Sequence, residues 1–193
     1  MIIGEDIKPN PSFEEELMSH HDNKALSMLS AALEKEQKGQ EFYKQASEKC
    51  VNPLGREIFR TLMADEGSHI KRIKEIFEAL SKGQKWDAHW KEYKVQNDDL
   101  AKLFRKRIET VGSRVDGDNS DIEAISIGVD MEQGAITFYE DQLKKATDPL
   151  EKEFVGLMIS EERGHYTALK DLKMYLENPE SWFEEKERGL LDG

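Results

Sequence analysis

Residues 62–73, LMADEGSHIKRI, have a counterpart at 158–169, MISEERGHYTAL. Each stretch places a Glu three residues before a His among apolar residues that recur at intervals of three and four, which is the period of a helix rather than a strand. Glu66 and His69 in the first copy, and Glu162 and His165 in the second, therefore share a helix face with Leu and Ile. The chain's only two Glu-x-x-His motifs are these.

Outward from these segments the same periodicity continues through four helices, expected at about 24–50, 53–81, 121–146 and 149–177. The first carries Leu26, Leu29, Leu33, Glu36, Gln40 and Tyr43 on one stripe, and the third Ile122, Ile125, Val129, Glu132, Ile136 and Tyr139. Asn52-Pro53 and Asp148-Pro149 place a capping side chain before a proline at the first helical position, so a new helix starts at each. Ser120-Asp121-Ile122-Glu123 reads as a capping box with Ser120 as the cap. Links of a few residues join the first helix to the second and the third to the fourth, so each pair folds back as an antiparallel hairpin. The stretch 82–120 is long enough for a crossover with a short helix around Leu100, Leu103, Phe104 and Ile108, which makes the second and third helices run the same way. The first twenty residues and the tail 178–193 lie outside the four helices, with Trp182 and Phe183 expected to dock on the bundle or on a neighbouring subunit. The chain reads as all-α, one domain over 1–193.

A shift of 96 residues carries Glu36 onto Glu132, Tyr43 onto Tyr139, Pro53 onto Pro149, Glu66 onto Glu162 and His69 onto His165. The protein is thus a duplicated hairpin, and six titratable residues recur on stripes that otherwise carry Leu, Ile, Val and Met. Carboxylates in an apolar interior cost several kcal/mol each unless neutralised. Four of them carry −4, two divalent cations carry +4 and the imidazoles are neutral, so the charge closes with two metal ions. Glu36, Glu66, His69, Glu132, Glu162 and His165 are the expected ligands, with Glu36 and Glu132 completing the set and bridging the ions. Tyr43 and Tyr139, seven residues after the single glutamates, are placed to hydrogen-bond a ligating carboxylate or relay an electron, or else are core tyrosines. His20, His21 and His89 lie off the stripes, Cys50 sits at a helix end as a structural residue, and Trp86, Trp90 and Tyr93 read as packing in the crossover. Glu184 to Arg188 reads as a solvated helix face.

Composition narrows the partners. The chain has 193 residues with 28 Lys and Arg against 40 Asp and Glu, a net charge of −12, and one cysteine. A single Cys permits no internal disulfide and no four-cysteine metal site. Without a basic stripe no nucleic-acid partner is expected, and without a long apolar run no membrane partner. The amino terminus lacks the pattern of a secretory signal, so a cytoplasmic protein is expected.

The residues around the six candidates, Glu36 in "LEKEQKGQEFYKQA", Glu66 and His69 in "ADEGSHI", Glu132 in "DMEQGAITFYEDQ" and Glu162 and His165 in "SEERGHY", resemble the rubrerythrin branch of the ferritin-like superfamily over about 24–176. That resemblance implies a ferritin-like four-helix bundle holding two iron ions, with manganese compatible with the same donors. It also implies an oxidoreductase that reduces hydrogen peroxide or dioxygen with electrons from an external donor, a rubredoxin-like protein or a reductase. A homo-oligomer is expected. Two features depart from the rubrerythrin pattern. One cysteine cannot furnish a rubredoxin-like module, and Ala135 stands where many rubrerythrins carry a further glutamate. The remaining four Glu and two His are similar to the ferroxidase centre of bacterioferritins, so ferrous oxidation with iron binding or storage is the alternative activity.

Overall fold

The computed structural model describes residues 13–95, 100, 104, 106, 108 and 118–184. Four long helices carry the structure: α1 (Phe13–Lys49), α2 (Pro53–Ser81), α3 (Asn119–Leu143) and α4 (Pro149–Glu177). No strand occurs among the described residues. This is the all-α, ferritin-like bundle of two hairpins.

Local chemistry sets most of the helix ends. The Asn52 side chain accepts from the Gly55 N–H at 2.9 Å, and Asp148 accepts from Leu150 N at 2.7 Å, each satisfying an amide that an N-terminal turn leaves open. Beyond α2, Gly83 takes φ 72°, a left-handed conformation that costs glycine nothing. Two expected boundaries are corrected. α1 begins at Phe13 rather than near residue 24, because no proline or glycine interrupts the chain between them. α3 spans Asn119–Leu143 rather than 121–146, and its cap is Asp118, whose carboxylate accepts from Ser120 N in place of the expected Ser120 hydroxyl.

Directions follow from side-chain pairs. Tyr139 of α3 meets Glu36 of α1 while Tyr43 of α1 meets Glu132 of α3, so α1 and α3 are antiparallel. α1 is also antiparallel to α2 through the three-residue link, so α2 and α3 run the same way, as the crossover length requires. Within the crossover, Leu100, Phe104 and Ile108 are helical and buried, whereas Leu103 lies outside the described residues. Trp90, in a 3₁₀ turn at His89–Glu92, packs edge-on to Phe154 with ring centroids 5.5 Å apart. Trp182 docks on the bundle against Phe104 and Tyr175. His89 is exposed beside Asp87. The side chains of His20 and His21, and residues 185–188 of the charged tail, lie outside the described residues.

Apolar burial falls into two clusters. One gathers Tyr43, Phe59, Leu62, Ile125, Leu169 and Tyr175 towards the α1–α2 turn, and the other gathers Leu29, Ile73, Trp90, Tyr139, Phe154 and Met158 towards the opposite end. Between them lies a polar layer. The α1–α2 turn is tied to α3 by Asp121, whose carboxylate accepts from Val51 N at 3.0 Å and Asn52 N at 2.8 Å. Beside it, Cys50 is buried, and burial together with Asp121 pushes its thiol up to about 12. At neutral pH that thiol is protonated and a poor nucleophile.

Candidate metal centre

The polar layer is built by one or two residues from each helix: Glu36 from α1, Glu66 and His69 from α2, Glu132 from α3, Glu162 and His165 from α4. None is more than 3 % exposed. The structure brings all six together in two overlapping quartets, Glu36–Glu66–His69–Glu162 and Glu66–Glu132–Glu162–His165, each offering donor atoms within 4.8 Å of one another. Glu66 and Glu162 belong to both quartets. The expected division of labour is therefore corrected: the Glu-x-x-His glutamates are the shared pair, while Glu36 and Glu132 each serve one quartet. Glu66 and Glu162 project from α2 and α4 towards the middle of the layer, whereas the single glutamates of α1 and α3 flank it.

His69 directs Nδ1 into the first quartet, 3.1 Å from Glu36 Oε2 and 3.2 Å from Glu162 Oε1. His165 directs Nδ1 into the second, 3.3 Å from Glu162 Oε2 and 3.8 Å from Glu132 Oε2. Both outer nitrogens face further carboxylates. His69 Nε2 lies 3.0 Å from Glu161 Oε2, and His165 Nε2 lies 3.5 Å from Asp65 Oδ2. Tyr43 donates to Glu132 and Tyr139 donates to Glu36, so each tyrosine serves the glutamate of the other hairpin.

Electrostatics shows how much positive charge the layer demands. Burial, reinforced by Glu36, lifts Glu66 well above the usual carboxylate range, and burial with Glu162 lifts Glu132 to about 8. Burial opposes charge on His69, yet Glu162, Glu161 and Glu36 outweigh it and hold the imidazole well above its ordinary value. His165 behaves likewise beside Asp65, Glu132 and Glu162. Burial also works against ionised Glu162, but the two imidazoles hold it well below the carboxylate range. Burial and the neighbouring carboxylates push both tyrosine hydroxyls well up, so each remains a donor. Protons thus do here what a cation would do better.

Several buried atoms have no hydrogen-bond partner in the structure: Glu66 Oε2, both carboxylate oxygens of Glu162 and His165 Nδ1. Unsatisfied buried polar atoms are costly, and here they converge on the middle of the two quartets. The donor set of hard oxygens plus imidazole fits a pair of divalent metal ions. A cavity of about 210 Å³ reaches this centre between α1 and α3, with Lys35, Lys38, Gly39 and Ala135 in its walls.

Three residues of the layer's surroundings escaped the sequence reading. Asp65 and Glu161 face the two histidines from outside, and Arg72 forks onto Glu161 through two nitrogens, one of them 3.2 Å from Oε1. A signal for the carboxylates was present, since Asp65 and Glu161 are 96 residues apart and each immediately precedes a Glu-x-x-His glutamate. Arg72 had none, because its repeat position is Ala168.

Fold and site together define a ferritin-like protein with a buried carboxylate–imidazole centre of dinuclear form. The family model Rubrerythrin matches residues 27–173, and the chain belongs to that ferritin-like di-iron family. Comparison with curated proteins and with solved structures gives no match. No helix among the described residues is long and apolar enough to cross a membrane.

Proposed function

We propose that the chain is a di-iron oxidoreductase that reduces a small oxidant, hydrogen peroxide or dioxygen, at the Glu36, Glu66, His69, Glu132, Glu162 and His165 centre. The observation that carries this reading is the pair of quartets sharing Glu66 and Glu162, with Glu66 Oε2 and both Glu162 oxygens buried and without a hydrogen-bond partner. Bound there as a ferrous pair, the ions supply the two electrons that, with two protons, reduce one hydrogen peroxide to two waters.

The chain's own residues do the rest. Glu66 and Glu162, common to both quartets, would serve as ligands to both ions. Tyr43 and Tyr139 orient Glu132 and Glu36 with their hydroxyl protons, which burial keeps in place. The apolar clusters on either side of the layer exclude bulk water. The cavity beside Gly39 and Ala135 has room for a few water-sized molecules, which supports a diatomic oxidant or peroxide rather than an organic substrate. With one inert cysteine the chain has no thiol couple of its own, so re-reduction calls for a separate donor, a rubredoxin-like protein or a reductase.

Ala135 favours a second reading. It lines the cavity with a methyl group where many rubrerythrins carry a ligand, leaving the four-Glu, two-His set of a ferroxidase that feeds iron storage. Storage needs a shell of many subunits, so the native particle size separates the two readings. The decisive experiment measures iron content and absorption of anaerobically purified protein before and after one equivalent of peroxide. Two iron ions per chain and a new near-ultraviolet band are expected. An unchanged spectrum, or fewer than two ions, overturns the proposal.

A further inference from the structure

The bundle has two seams where one hairpin meets the other, and among the described residues only one is covered. Over the α2–α4 seam lies the crossover: Arg72 of α2 donates to Glu161 of α4 and to the Tyr93 carbonyl, and Trp90 packs on Phe154. Further along, Phe104 and Trp182 close on Tyr175. The α1–α3 seam instead carries three open cavities in a row. One of about 300 Å³ lies near the α1–α2 turn, the cavity of about 210 Å³ sits at the polar layer, and one of about 510 Å³ lies towards the far end.

The sequence of α3 matches this second seam. Besides its inner stripe, α3 carries an outer one, Ala124, Ile127, Met131, Ala135 and Phe138, at steps of three and four. These residues wall all three cavities, and Ile127 is 46 % exposed. From Ala124 to Tyr139 the only charged residues are Asp130 and the buried Glu132, in a chain that is 35 % charged. The repeat copy on α1 is different: where α1 holds Lys35, Lys38 and Glu41, α3 holds Met131, Gly134 and Thr137. A helix that is apolar on two faces is suited to burial from two sides.

We propose that a second copy of this chain packs on the α1–α3 seam, about a two-fold axis parallel to the helices that lays α1 of each copy on α3 of the other. The proposal is independent of the activity proposed above. Its extent fits: the 25 residues of α3 span about 37 Å, and two helices side by side about 20 Å, giving roughly 700 Å² against the ~800 Å² per partner of a stable interface. Its shape fits a copy in particular. Because α1 and α3 are antiparallel repeat copies, Phe42 in one end cavity and Phe138 in the other are images of each other, and a surface that is nearly its own image suits an isologous contact. Charge selects the axis. The α1 rim of the first two cavities carries Lys35, Lys38 and Lys49, and the α3 rim carries Glu123 and Asp130. In the far cavity Lys24 and Lys145 share the wall with Glu151. An axis parallel to the helices keeps each residue at its own level, so Lys49 comes opposite Glu123 of the partner subunit and Lys38 opposite Asp130 of the partner subunit. Laying α1 on α1 would set lysine against lysine. The same contact roofs the cavity that reaches the polar layer.

The test is sedimentation equilibrium of the full chain across a range of concentrations, in wild type and in four variants. Wild type is expected to weigh twice the chain mass or an even multiple of it. Ile127→Asp puts a charge into each half of the contact and should weaken association by roughly 100-fold, about tenfold per copy. Its helical circular dichroism should not change, because the side chain is exposed in the single chain. Lys49→Glu and Glu123→Lys should each weaken association by roughly tenfold, since each acts twice across the two-fold, and the double variant should recover to within about threefold of wild type. A wild type that stays monomeric overturns the proposal, whether the seam is then covered by residues 1–12 or by a different protein. Association that survives Ile127→Asp overturns the choice of face. A double variant that does not recover overturns the α1-on-α3 arrangement. Metal content, which decides the dinuclear reading, is measured separately and is untouched by any of these outcomes.

Discussion

The two hairpins of this bundle agree at one level and disagree elsewhere. At the polar layer, α1–α2 and α3–α4 present the same groups in the same order, and the crossed pairs Tyr43–Glu132 and Tyr139–Glu36 are images of each other under the 96-residue repeat. Elsewhere the correspondence is looser. Cys50 faces Ala146 in the alignment of the halves, Gly39 faces Ala135, Arg72 faces Ala168, and Asp121, which ties the first turn to α3, faces Ala25. Apolar packing accepts many solutions of similar volume, whereas four buried carboxylates accept few, because each needs a cation or a proton donor within reach. Within this chain, therefore, the repeat is strictest where charge must be balanced.

The comparison breaks most severely at a shared glutamate. Glu162→Ala removes a donor from both quartets and should abolish binding of both ions, whereas Glu132→Ala touches only one quartet and should leave about one ion per chain. Elemental analysis after iron reconstitution reads the difference. Equal losses in the two variants would contradict the assignment of Glu162 as shared.

Metal removal sets the layer against the apolar clusters. Glu132 has a folded value of about 8 against an ordinary 4.5, so between these the folded chain holds a proton that the unfolded chain has released. Stability then falls as pH rises through that window. His69 and His165, held above 6.5, act in the same direction, their contribution being present below 6.5 and lost as pH climbs through the raised values. Glu162, held low, contributes stability above 4.5 that is lost only at lower pH, outside the window. The chelated protein should thus lose on the order of a few kcal/mol between about pH 5 and pH 8. The iron-loaded protein should not, since the metal replaces those protons. Melting curves at both pH values, with and without chelator, check this. Parallel behaviour of the two forms would mean that the carboxylates are hydrated and not part of the core.

A sharper test of the symmetry uses the tyrosines. In the iron-loaded protein, where the cations keep the glutamates ionised, Tyr43→Phe and Tyr139→Phe each delete a hydrogen bond to a buried carboxylate, worth about 1.5–3 kcal/mol for a charged acceptor. Equal losses in denaturant titrations are expected, because the two pairs are equivalent. A difference well beyond about 1 kcal/mol would carry the asymmetry of the outer residues into the layer.

The smallest effect belongs to Gly39. A methyl group there would lie 3.3 Å from the Glu66 carboxyl carbon, so the carboxylate must yield by a few tenths of an ångström. Alanine gains about 1 kcal/mol over glycine inside a helix, which offsets that displacement. Gly39→Ala should therefore melt within a few degrees of wild type and bind metal less than about tenfold more weakly, approaching the Ala135 side of the comparison. Loss of an ion would show that Glu66 has no freedom to shift.

Much of this was legible in the sequence. Apolar spacing of three and four, two cap-proline pairs and the two Glu-x-x-His motifs gave the all-α class, the hairpins and the six residues of the layer, because helix periodicity dictates which side chains share a face. Periodicity says nothing about what lies across from that face. Which glutamates are shared, which tyrosine serves which hairpin, and that Arg72 reaches Glu161 all depend on how the helices are rotated and staggered against one another. Those quantities are set by packing between residues far apart in the chain. The ends of α1 and α3 were misplaced for a related reason, since a helix extends wherever nothing stops it and is capped by whichever side chain reaches the free amide first, here Asp118 before Ser120. The sequence determined which groups this protein buries together; only the tertiary structure decided that Glu66 and Glu162 are common to the two quartets, and that each tyrosine serves the glutamate of the other hairpin.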